Sequence, residues 1–341
     1  MSINVGVIGL GRWGPNLVRN FHAIPDCTVV ALADPLPEMR EKMEQQVPGA
    51  AYYSDGKALL EHTGLDAVVI STPTETHYDL VMAALDAGLH VLCEKPLADS
   101  GEAAWALDAC AKARGKVLMV GHVFLFNAGV QYLCDAVRSN GVGRVYYVNA
   151  TRTNLGPFRD DVNAAWDLAS HDIYIFNELL QARPESVSAV GQSYLRKPVD
   201  DIVFLSLFYP DGVIGHIHVS WLDPKKVRQI TLVGEQKMIT WDDLAQLGPI
   251  TVHDRSVKRE PVYESFGEFQ LLAREGDLVM PRISASEPLA LQAREFVRRC
   301  QSGESDGRGD AAQAAVVVDV LEAADASLKA AGKAVKISYG G

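Results

Sequence analysis

Over the first 120 residues, short apolar runs alternate with stretches in which apolar residues recur every three or four positions. The runs are Val5-Gly6-Val7-Ile8, Val29-Val30-Ala31-Leu32-Ala33, Ala67-Val68-Val69-Ile70, His90-Val91-Leu92-Cys93 and Val117-Leu118-Met119-Val120. Each has strand length and little polar interruption, as expected for strands buried on both faces. Helical periodicity fills Leu36 to Gln46, Tyr78 to Ala87 and Gly101 to Arg114. This alternation predicts a doubly wound parallel sheet.

Near Phe124 to Asn127 the pattern changes. A helix is predicted over Val130 to Ser139, a strand over Arg144 to Arg152 and, after a polar loop, a helix over Leu168 to Leu180. Strands follow. Asp201 to Tyr209 and Val213 to Trp221 flank Pro210-Asp211-Gly212, which is hairpin chemistry. In the second of these strands Val213, Gly215, Ile217, Val219 and Trp221 alternate with Ile214, His216, His218 and Ser220, so one face is partly polar. Gln229 to Gly234 and Lys237 to Trp241 meet through Gly234-Glu235-Gln236. Strands joined this way form an antiparallel sheet. Thr251 to Ser284 is polar and irregular and reads as a long surface excursion, after which helices return at Pro288 to Gln301 and Ala311 to Ala331. The expected architecture is therefore an α/β domain over residues 1–123 and an α+β domain with an open, mainly antiparallel sheet over residues 124–341.

Composition narrows the function classes. A chain of 341 residues is long for one core, and 48% hydrophobic with 22% charged residues describes a soluble globular protein. The formal net charge of −11 argues against a general nucleic-acid binder, and Lys225-Lys226 and Arg298-Arg299 are short basic pairs of ordinary surface type. Five cysteines with no C-x-x-C pair suit a reducing compartment and suggest neither a disulfide framework nor a zinc site. His216 and His218 share a strand face without a further ligand cluster, so no metal is expected. With no signal peptide or membrane-spanning run, a cytoplasmic protein that binds neither membrane nor nucleic acid is the expectation.

Candidate chemistry begins at the first strand's end, where Gly9, Gly11 and Gly14, with Arg12 and Trp13 between them, spell G-x-G-x-x-G between a strand and a helix. Gly9 serves the tight turn, Gly11 lets backbone N–H groups approach a pyrophosphate, and Gly14 lets helix and strand pack closely. Asp34 ends the second strand, 20 residues after Gly14, where a carboxylate meets the adenosine ribose hydroxyls and repels a 2′-phosphate. The first domain is thus predicted to be a Rossmann domain that prefers NAD to NADP. At another strand end, Lys95 of Glu94-Lys95-Pro96 is placed to stabilise alkoxide charge on a substrate, or else is a salt-bridged strand terminus. In Trp166-Asp167-Leu168-Ala169-Ser170-His171, Asp167 and His171 stand at i and i+4 on one helical face. A carboxylate there fixes the imidazole tautomer and leaves a general base; the alternative is a helix-terminal aspartate beside a packed histidine.

These stretches together resemble the Gfo/Idh/MocA oxidoreductases over nearly the whole chain, through Gly9 to Gly14, Ser71-Thr72-Pro73 with His77, Glu94-Lys95-Pro96 and Asp167-x-x-x-His171. The resemblance implies Lys95 and His171 as the catalytic pair supported by Asp167, a cis Pro96, and cofactor contacts from Ser71, Thr72, Pro73, His77, Glu94 and Lys95. Two departures are Tyr174, where the family often has aspartate, and Asn163-Ala164-Ala165-Trp166, where it often has glycines. Gly121 to Asn127, Asn154-Leu155-Gly156, Arg159 to Asn163 and His218-Val219-Ser220-Trp221-Leu222 resemble the branch that oxidises C3 of UDP-N-acetylglucosamine or its uronic acid. His122, Arg152, Asn154, Arg159, Asn163 and Trp166 are the candidate substrate contacts, Arg152 and Arg159 suited to a carboxylate or diphosphate and Asn154 and Asn163 to sugar hydroxyls, with loop packing the equal alternative for each. An inositol or free-sugar dehydrogenase is the alternative, as is a regulator that binds dinucleotide without turnover. The family also implies a homo-oligomer, dimer or tetramer, covering the open sheet.

Overall fold

In the computed structural model, which describes residues 2–259, 271–274, 276–284 and 286–340, the five apolar runs of the N-terminal third and one further short strand form a six-stranded parallel sheet. Along the chain come β1 (Ile3–Ile8), α1 (Gly14–His22), β2 (Cys27–Ala33), α2 (Pro37–Glu44), β3 (Ala51–Tyr53) and α3 (Gly56–Leu60). They are followed by β4 (Ala67–Ile70), α4 (His77–Asp86), β5 (His90–Cys93), α5 (Gly101–Arg114) and β6 (Leu118–Val120). The strand order is β3-β2-β1-β4-β5-β6. Connections therefore reverse direction beside β1, and a crevice opens there at the carboxyl ends of β1 and β4. Val5, Val7, Leu32, Val69 and Val91 are fully buried, as a sheet covered on both faces requires. α5 matches its sequence bounds because Ser100 caps its first turn through Ala103 N–H and Gly115 closes it in the left-handed region.

The next segment contains α6 (Ala128–Arg138), β7 (Val145–Leu155), a π-helical turn (Ala165–Ala169), α7 (Ser170–Leu180) and β8 (Ser186–Gln192). Then come β9 (Ile202–Phe208), β10 (Ile214–Ser220), β11 (Leu222–Gly234), β12 (Met238–Asp242) and β13 (Ile250–His253). β14 (Ser256–Arg259), β15 (Leu271–Arg274), β16 (Leu278–Val279), α8 (Pro288–Ser302), α9 (Ala311–Lys329) and β17 (Val335–Lys336) complete the chain. Nine strands make a second sheet in the order β16-β13-β12-β11-β7-β10-β9-β8-β17, antiparallel at every junction except β7 with β10. The excursion expected over 251–284 carries short strands in its described part; residues 260–270 and 275 of it lie outside the described residues.

Alternation along this sheet is clear. Val148 and Ala150 of β7, Val203 and Leu205 of β9, and Ile217 and Val219 of β10 are fully buried on one face, which also holds Arg152. Their neighbours Tyr147, Phe204 and Ile214 are exposed on the other. The hairpin between β9 and β10 turns as its residues predict: Asp211 and Gly212 both take positive φ, 60° and 75°.

Neither compact unit is a single continuous stretch of chain. The first comprises residues 1–127, 286–322 and 338–341, and the second residues 128–285 and 323–337. Residues 286–322, read from the sequence as part of the second domain, thus belong with the parallel sheet. Phe296 meets Phe21 edge-on with centroids 6.0 Å apart, and Val120 N–H donates to the Gly309 carbonyl at 2.7 Å. Chain order alone did not reveal this return.

Candidate active site

The glycine loop is built as its spacing requires. Gly9 has φ of 89°, and a Cβ there would stand 2.6 Å from the Ser71 carbonyl oxygen; one on Gly14 would stand 2.3 Å from that of Gly9. At Gly11 a Cβ would meet nothing within 4 Å. The first and third glycines are therefore demanded by the protein's own packing, whereas the second leaves room for something that is not protein. Arg12 and Trp13 are exposed, and α1 starts at Gly14. Its N–H groups open toward the loop, as anion binding needs.

Asp34 is buried at the end of β2. Its Oδ2 accepts from Leu10 N–H at 2.7 Å and its Oδ1 from Leu36 N–H at 2.9 Å. Each oxygen keeps a second lone pair for a ribose hydroxyl. No cationic side chain pairs with this carboxylate among the described residues, so its charge opposes an added 2′-phosphate. A cavity of about 540 Å³ runs along the loop, lined among others by Gly9, Gly11, Asp34, Ser71, Thr72 and Pro73. The open Gly11, the held carboxylate and this cavity fit a dinucleotide.

Ser71 Oγ donates to the Gly9 carbonyl at 2.7 Å, so it braces the loop as well as lining the cavity. His77, implied as a cofactor contact, bridges two loops of the protein. It is buried with Nδ1 2.8 Å from the Pro96 carbonyl and Nε2 3.0 Å from the Thr72 carbonyl. It ties the segment after β4 to the segment after β5, and only the imidazolium donates to both carbonyls. The Lys95-Pro96 bond is cis, as the resemblance implied.

Glu94, Lys95 and His122 form a charged group at the ends of β5 and β6. Burial pushes the Glu94 carboxyl up to about 7, with Lys95 opposing the shift. Burial first, and then the Lys95 charge, pull His122 down to about 3, so it is neutral at neutral pH. A Cβ on Gly121 would stand 2.9 Å from the Glu94 carboxyl carbon. Gly121 is thus needed to seat that side chain. The Lys95 ammonium has as its neighbours a carboxyl that titrates near neutrality and a neutral imidazole.

In the second unit the π turn at 165–169 carries Asp167 directly into the first turn of α7, where His171 sits half-buried. Single π turns inside helices recur at functional sites. Asp167 Oδ2 accepts from the Trp221 indole N–H at 3.1 Å, and Oδ1 from Arg159 at 3.5 Å. Trp221 is itself fixed, its N–H donating to the Asp201 carbonyl at 2.9 Å and its carbonyl accepting from Gly156 N–H at 3.0 Å. Arg159 also forks onto Asp161, which holds that carboxyl below its usual range and raises the guanidinium.

Four of the candidate substrate contacts have partners within the protein. Arg152 is buried and bidentate to Asp172, Nε to Oδ2 at 2.9 Å and Nη2 to Oδ1 at 2.8 Å. The pair joins β7 to α7, and removing one partner of such a pair costs about 3–5 kcal/mol. Asn163 caps the π turn, its Oδ1 accepting from Ala165 and Trp166 N–H at 3.0 and 3.2 Å, a contact of about 1 kcal/mol. The buried Trp166 donates its indole N–H to Asp325 Oδ2 at 2.9 Å. Asn154 donates to the Gly156 carbonyl and supports that loop. His216 lies 3.4 Å from Ser206 Oγ, and His218 stacks on Phe204. Among the described residues no cluster is arranged to hold a metal, and no helix is long and apolar enough to cross a membrane.

Residues 3–122 match the family model for the oxidoreductase family with NAD-binding Rossmann fold, and residues 130–240 match the GFO/IDH/MocA C-terminal domain. The UDP-N-acetylglucosamine 3-dehydrogenase of Acidithiobacillus ferrooxidans is 34% identical over 250 residues, covering 72% of this chain and 75% of that one. The chain belongs to the Gfo/Idh/MocA family. The scyllo-inositol 2-dehydrogenase (NAD(+)) of Bacillus subtilis is 30% identical over 234 residues, 65% of this chain and 68% of that one. Among solved structures, GenD2 from gentamicin A biosynthesis, in complex with NAD, superposes with a TM-score of 0.83 at 23% identity, covering 99% of this chain and 97% of that one. As a member of the Gfo/Idh/MocA family, the protein is an NAD-dependent oxidoreductase of CH–OH groups on sugars or polyols. In its first unit Gly9, Gly11 and Asp34 line one cavity.

Proposed function

We propose that the protein oxidises a ring hydroxyl of a nucleotide-linked sugar, at C3, or reduces the corresponding keto sugar. Bound NAD supplies the hydride acceptor. The His171 imidazole takes the hydroxyl proton, the Lys95 ammonium holds the oxygen as negative charge develops, and Asp167 orients the histidine. The observation that carries this reading is the held carboxylate of Asp167 at the entry to the His171 helix, with the partly exposed Arg159 guanidinium beside it. A fixed aspartate suits an acid–base pair, and a cation next to it suits a substrate with phosphate or carboxylate groups. The similarity to a UDP-N-acetylglucosamine 3-dehydrogenase supports the substrate class. An inositol or free sugar is the second reading, favoured by the similarity to a scyllo-inositol dehydrogenase.

A panel of nucleotide sugars, inositols and free sugars, followed by NADH formation, tests the choice. Turnover of UDP-N-acetylglucosamine or its uronic acid faster than of myo-inositol is the expected result. Faster turnover of inositol would move the assignment to the second reading.

We also read the open face of the nine-stranded sheet as a self-association surface. Tyr147, Phe204 and Ile214 stand exposed on it, 46%, 37% and 43% accessible, on the adjacent strands β7, β9 and β10, with Tyr147 directly opposite Ile214. Light scattering should give a dimer or tetramer, and the mass of one chain at working concentration would contradict this.

A further inference from the structure

We propose that Asp325, on the last turns of α9, is a positioning residue for Asp167. This rests on the reading of Asp167 and His171 as the acid–base pair. One carboxylate grips the π turn at two points: Oδ1 accepts from the Asn163 side-chain amide at 2.9 Å, and Oδ2 from the Trp166 indole N–H at 2.9 Å. Asn163 is the residue that caps the turn, and Trp166 immediately precedes Asp167. Asp325 therefore holds both the entry of the turn and the residue beside the functional carboxylate.

The chemistry of the contacts requires an acid. Both partners present N–H groups, so position 325 must offer two acceptors. An amide accepts through one atom only and would turn its own N–H toward the second donor. Asp325 is also placed by a fixed segment. Two residues on, the buried Ser327 accepts from Ala189 N–H at 2.8 Å through Oγ, and the same hydroxyl donates to the Lys333 carbonyl at 2.7 Å. These bonds lock the end of α9 to β8. The grip is thus transmitted from a packed helix to a turn wider than an ordinary helical one, whose shape the backbone alone does not favour.

The arrangement then works in sequence. Asp325 sets Asn163 and Trp166, these set the π turn, and the turn delivers Asp167 to Trp221 and Arg159. A displacement of this carboxylate changes how the imidazole it supports is oriented, and errors near 1 Å in such positioning cost about 100-fold in rate.

The test is Asp325→Asn in the full chain, read in two ways. Indole N–H resonances report the geometry without substrate. The Trp166 signal should shift because its acceptor changes, and the Trp221 signal should shift with it because Asp167 moves. With UDP-N-acetylglucosamine and NAD, turnover should fall about 10- to 100-fold with KM for NAD unchanged and the pH profile of kcat displaced. A moved Trp166 signal with an unmoved Trp221 signal and normal turnover, whatever the melting temperature, would overturn the proposal. Should Asp325→Asn fail to fold, Trp166→Phe removes one donor, keeps the Asn163 bond and is read on the same Trp221 signal and pH profile. Near-normal turnover by His171→Asn would instead refute the acid–base reading, and the Trp221 signal would still decide whether Asp325 sets Asp167.

Discussion

Replacing His171 with asparagine is expected to lower turnover by about 10²-fold or more while leaving NAD affinity unchanged. The substitution keeps a polar planar side chain of similar size in the first turn of α7. What it removes is the imidazole that takes the hydroxyl proton in the proposed mechanism. NAD affinity should persist because the glycine loop, Asp34 and the cavity of about 540 Å³ all belong to the first unit, while His171 belongs to the second. Initial rates of NADH formation, with NAD affinity taken from a binding titration, separate the two effects. A folded His171→Asn protein with near-normal turnover would return the Asp167 and His171 pair to a structural role.

Lys95→Met should cost as much or more, about 10² to 10³ in turnover, the scale for removing a donor aimed at developing negative charge. It has a second, independent signature. Lys95 stabilises the Glu94 carboxylate and opposes protonation of His122. With the ammonium gone, Glu94 should titrate above its present value of about 7, and His122 should rise only part of the way from about 3, because burial, the larger cause, remains. Following the His122 ring protons against pH measures this directly. Unchanged titration together with unchanged rate would mean that Lys95 acts on neither its neighbours nor the substrate.

Much of this site was legible because it sits where strands end. Gly9, Asp34, Glu94 and Lys95 each close an apolar run, and the ends of parallel strands are where a doubly wound sheet binds its ligands. Donors without visible acceptors were harder to place. Arg152, Asn163 and Trp166 read as candidate sugar contacts, and the partners that would have placed them, Asp172 and Asp325, stand 20, 162 and 159 residues away in sequence. The same limit hid the tie between Asp167 and Trp221, a strand-terminal indole whose N–H meets that carboxylate only after 54 residues of chain fold back. β3 and α3, of three and five residues, are too short for a period to show. The helix read from Leu168 begins as a π turn, because local periodicity does not register a side-chain grip from elsewhere in the chain.

The return of residues 286–322 to the parallel sheet sets an order on biosynthesis. The 158 residues of 128–285 must be made before Phe296 can reach Phe21 and before Gly309 can pair with Val120. At ribosomal rates this is an interval of about 8 to 30 s. Throughout it the nascent dinucleotide module has β6 without its Gly309 partner and an uncovered apolar flank at α1. It is therefore a candidate chaperone client, and an N-terminal fragment ending near residue 123 would keep that exposed flank permanently.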